Sequence, residues 1–134
     1  MGFDAKAIFA DLAEKERIKG HHSPEGRAIR TLSRALNGFS SGNLSRRDVI
    51  VLCDQAIEDW LKAKLKISPW AMPSLQALFV TAVEAGWMTQ VEAAQMDKLR
   101  HVRNTIDDER ADVPAQEMEL ALLFCIELIE RHWH

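Results

Sequence analysis

Tyrosine is missing from this sequence, cysteine occurs twice, proline four times and glycine six times in 134 residues. The two cysteines, Cys53 and Cys125, stand alone inside apolar stretches, with no CxxC pair and no Cys/His neighbour at zinc-ligand spacing. That excludes a disulfide framework and a structural zinc site, and reads as two buried thiols in a reducing compartment. Long apolar runs are also lacking. The longest, residues 120–126, falls far short of the ~20 residues a membrane helix needs. The N-terminal stretch is acidic where a secretory signal would be basic and then unbroken in its apolarity, so the expectation is a cytoplasmic protein with no membrane association. Strong net charge is missing too. A balance of −3 argues against a general nucleic-acid binder while leaving room for a local basic site.

What remains is an ordinary globular composition, 47% hydrophobic and 28% charged, in one domain's length of chain. Period-2 alternation between turn dipeptides is absent at any useful length, whereas helix punctuation recurs. A first helix is expected over 4–18, ending before Gly20. Ser23-Pro24 opens a second, which Asn37-Gly38 should stop, and residues 39–43 then read as a linker. Ser45 caps a third helix running to about residue 67, and Pro69 and Pro73 separate it from a shorter one over 74–85, closed by Gly86. Thr89 and Glu92 form a capping box for a fifth helix through Met96, Leu99, Val102 and Ile106, fraying in Asp107-Asp108-Glu109. Asp112 and Pro114 begin the last, which reaches about residue 132. It is apolar almost all round over 120–126, so it is either central or packed against a second copy of the chain. The fold class is all-α: one helical domain, with an N-terminal helical pair over 1–43 and a four-helix core over 44–134.

The fifth helix holds the chemistry. Its apolar stripe centres near Leu99, and Arg103 falls roughly 40° from that centre by the 100° helical step, inside the stripe. A guanidinium there needs a partner, and Asp107, one turn on, is placed to supply it. Asn104 points away. Elsewhere, Arg27, Arg30 and Arg34 repeat at helical spacing as one basic face, with a solvated face the commoner meaning. His21 and His22 lack ligand spacing, the acidic run 107–109 reads as a solvated helix end, and the four tryptophans read as core or interface anchors. No metal or cofactor is expected.

The segment Leu99-Arg-His-Val-Arg-Asn-Thr-Ile106, followed by a short polar loop and a long apolar helix, resembles the HEPN family (higher eukaryotes and prokaryotes nucleotide-binding). The helix from Val49 to Leu65 is similar to that family's first core helix, and Gly86-Trp87-Met88-Thr89 to the break before its motif helix. The resemblance covers roughly residues 44–133. It implies an up-down four-helix bundle, here with two additional N-terminal helices, that forms a homodimer through the motif and C-terminal helices. In many relatives such a cleft is a metal-independent endoribonuclease site, with an arginine holding phosphate and a histidine moving the proton. Arg103 matches the motif arginine and Asn104 the polar residue beside it. The histidine does not match: its place is taken by Asp107, Asp108, Glu109 and Arg110. A carboxylate of ordinary pKa, about 4, is a poor general acid at neutral pH and repels a phosphodiester.

The catalytic candidates are therefore Arg103, Asn104, Asp108 and His101, none of them a complete set. The binding candidates are Arg100, Arg103, Asn104 and Asp107. The favoured expectation is a non-catalytic binding and dimerisation module, in the bacterial defence, toxin–antitoxin or stress setting the resemblance implies. RNA, a nucleotide or a partner protein are its alternative ligands. A divergent ribonuclease around Arg103 and a plain scaffold protein are the alternatives.

Overall fold

The computed structural model describes residues 4–68, 70, 71, 73–109 and 114–133, with the backbone alone at 75 and 102–109. It is all-helical: α1 (Ala5–Lys19), α2 (Pro24–Ser41), α3 (Arg46–Lys64), α4 (Leu75–Ala85), α5 (Gln90–Glu109) and α6 (Ala115–Arg131), with no strand among the described residues. Nor is any helix there long and apolar enough to cross a membrane.

Local chemistry sets the helix starts. Asp4 accepts from the Ala7 N–H at 3.1 Å, Ser23 from Gly26 at 2.9 Å, Ser45 from Asp48 at 3.1 Å and Ser74 from Ala77 at 3.1 Å. Each such cap is worth about 1 kcal/mol against alanine. The capping box opening α5 is reciprocal: Thr89 N–H donates to Glu92 Oε1 at 2.9 Å, and Glu92 N–H to Thr89 Oγ1 at 3.1 Å.

Three helix ends differ from the sequence expectation. Asn37-Gly38 does not stop α2, which runs on to Ser41 before Gly42 caps it. Gly38 serves packing instead. A Cβ there would lie 2.2 Å from Leu44 Cδ1 and 2.9 Å from Leu44 Cβ, so the glycine lets the chain turn back tightly onto α2. α3 stops at Lys64 because Lys66 takes a left-handed backbone, φ 57°. The Ile67 N–H then bonds to Lys62 O at 2.8 Å and the Lys66 N–H to Ala63 O at 3.2 Å. This is a Schellman closure built on a lysine. α5, in turn, keeps a helical backbone through Glu109, past the point where fraying was expected.

The third helix is the organising element. α2 packs on it more extensively than any other pair does, α5 and α6 lie along it, and α1 covers α2. Trp60, Ile50, Ile57 and Leu61 of α3 are fully buried among Leu12, Ile29, Leu32 and Leu36 from the N-terminal pair and Met118 and Leu122 from α6. Burying each such side chain contributes roughly 1.5–3 kcal/mol. α6 is not enclosed on all sides. Ala121, Leu122, Cys125 and Ile126 are buried, while Leu120 is 60% exposed and Leu123 and Phe124 are half-buried. α4 is peripheral: among the described residues it packs mainly on α3 and α5.

Candidate functional site

The helices α4 and α5, joined by residues 86–89, pack against each other. Their connection is fixed by Gly86 at φ 85°, with the Trp87 N–H on Ala82 O at 2.9 Å and the Gly86 N–H on Val83 O at 3.2 Å. Between the two helices runs a groove of about 500 Å³, within the range of small-ligand and peptide sites. Phe79, Val80, Val83 and Ala93 give it an apolar floor, and Val80 is 51% exposed. Glu84 and Gln90 line it near the connection, and Gln76, Asp97, Arg100 and His101 line it away from that connection, at its open end, where Asp97 offsets Arg100.

The open end is organised by one carboxylate. Arg100 Nη2 donates to Asp97 Oδ1 at 2.9 Å, and His101 Nε2 lies 3.6 Å from Asp97 Oδ2. These are i,i+3 and i,i+4 neighbours on an exposed helix face, worth a few tenths of a kcal/mol each. They orient the two basic side chains rather than stabilise the fold. Arg100 and His101 are thus brought together on one groove. The side chains of Arg103, Asn104, Asp107 and Asp108 lie outside the described residues, so the expected Arg103–Asp107 pair does too.

Two buried charge clusters went unforeseen. Glu92, 1% exposed, does more than cap α5. Its Oε1 also accepts from His132 Nε2 at 2.8 Å, and its Oε2 from Arg131 Nη1 at 2.9 Å. Burial pushes the Glu92 pKa up, but the Thr89 N–H and the His132 ring outweigh it and hold the carboxyl below its ordinary value. With the carboxylate ionised, His132 Nε2 must carry the hydrogen. Glu92 therefore pins the end of α6 to the start of α5.

The second cluster gathers the ends of α1 and α3 and the start of α2 around Trp133. Lys19 and Lys64 both reach Glu25 Oε2, at 2.7 and 3.3 Å, and both donate to the Trp133 carbonyl, at 3.1 and 3.0 Å. The Lys19 ammonium sits 4.4 Å from the Trp133 ring centroid, and that of Lys64 sits 4.7 Å from Trp60 and 5.0 Å from Trp87. Trp60 and Trp133 stack at 5.9 Å. The partners do not shift symmetrically. Burial raises Glu25, yet the two lysines bring it net below its usual value. Lys64 is also lowered, because burial, joined by repulsion from Lys19, outweighs attraction to Glu25. Two cations share one anion, and the tryptophan faces supply the remainder. Trp60, Trp87 and Trp133 are thus anchors, as expected, whereas Trp70 is 88% exposed.

The basic face of α2 is drawn into structure. Arg27 donates to His22 O at 3.2 Å, while Arg30 donates to His21 O at 2.6 Å and to Glu16 at 3.2 Å. These bonds hold the α1–α2 connection. The two thiols are buried, and Cys125 is pushed well above its usual pKa by a hydrogen bond with Cys53 and by burial, which makes it inert. Among the described residues no group of three or more His, Cys, Asp or Glu side chains is placed to hold a metal ion. No family model matches this chain, and comparison with curated proteins and with solved structures gives no match either.

Proposed function

We propose that this chain is a non-catalytic, HEPN-like helical binding module that works as a homodimer. In this reading α3 to α6 form the four-helix core and α1 and α2 are additions to it. The setting, a bacterial defence, toxin–antitoxin or stress system, comes from the sequence resemblance alone. The observation that supports binding is the groove between α4 and α5, where Arg100 and His101 stand together at one end of an apolar floor. An apolar trough with a few placed polar groups is the form of a recognition site. Catalysis on a phosphodiester would need a general acid of near-neutral pKa beside the motif arginine. Acidic residues fill the positions after Arg103 instead.

Light scattering and an RNA cleavage assay on the full chain test the reading. It expects a dimer and intact RNA across varied substrates, with or without added magnesium. RNA cutting that Arg103→Ala abolishes would overturn the non-catalytic assignment, and a monomer would remove the dimer.

A further inference from the structure

We draw no further inference here: the strongest candidate, the groove between α4 and α5, carries nothing further, because Asp97 offsets Arg100 at its open end and nothing in the structure shows what covers it.

Discussion

At the scale of single residues, Glu92 carries the sharpest consequence. Glu92→Ala would strand the Thr89 N–H, the Arg131 guanidinium and the His132 ring, and should cost about 2–4 kcal/mol in urea unfolding. Glu92→Gln keeps an acceptor for Thr89 and should cost less. The pH dependence follows from the lowered Glu92 pKa. A carboxylate depressed in the folded state adds stability above its unfolded value, ordinarily 4.5, and loses it as pH falls through the folded value. The gap in stability between wild type and Glu92→Gln should therefore narrow steadily below that pH. The lysine cluster gives a ranking. Glu25→Ala leaves Lys19 and Lys64 facing one another and should lower the melting temperature more than Lys64→Met, which leaves a simple Lys19–Glu25 pair. The capping half of Glu92's role was legible in the sequence, because Thr89 and Glu92 are three residues apart. Its grip on His132 was not, because nothing local announces a partner 40 residues away.

At the scale of helices, the starts were more readable than the stops. Serine and threonine caps act within three residues, so Ser23, Ser45 and Thr89 each announced a helix, while Asp4 and Ser74, read only as first helical residues, prove to be caps. Gly38 looked like a terminator because glycine weakens a helix interior by up to about 1 kcal/mol. Its real constraint is tertiary, the approach of Leu44. Gly38→Ala should consequently destabilise the protein by about 1–3 kcal/mol despite alanine's better helix propensity. Adding Leu44→Ala should recover part of that loss, a coupling that a double-mutant cycle measures. α6 illustrates the opposite limit. Its apolar run announced burial, but only packing could say that Leu120 would stay outside.

At the scale of the whole molecule, a central α3 carries α2, α5 and α6, with α1 covering α2 and α4 at the periphery. The all-helical class was legible from punctuation and the absence of strand patterning. The groove was not, because it exists only in the way α4 and α5 pack against each other. Arg100 and His101 drew notice as neighbours of Arg103, and the fold gives them a common position of their own. On the proposed reading the chain is a binding module that works as a homodimer. The most direct test is the light-scattering mass of the full chain at neutral pH. A mass of twice 15.2 kDa is the expected result, and a value of 15.2 kDa that persists at high protein concentration would contradict it.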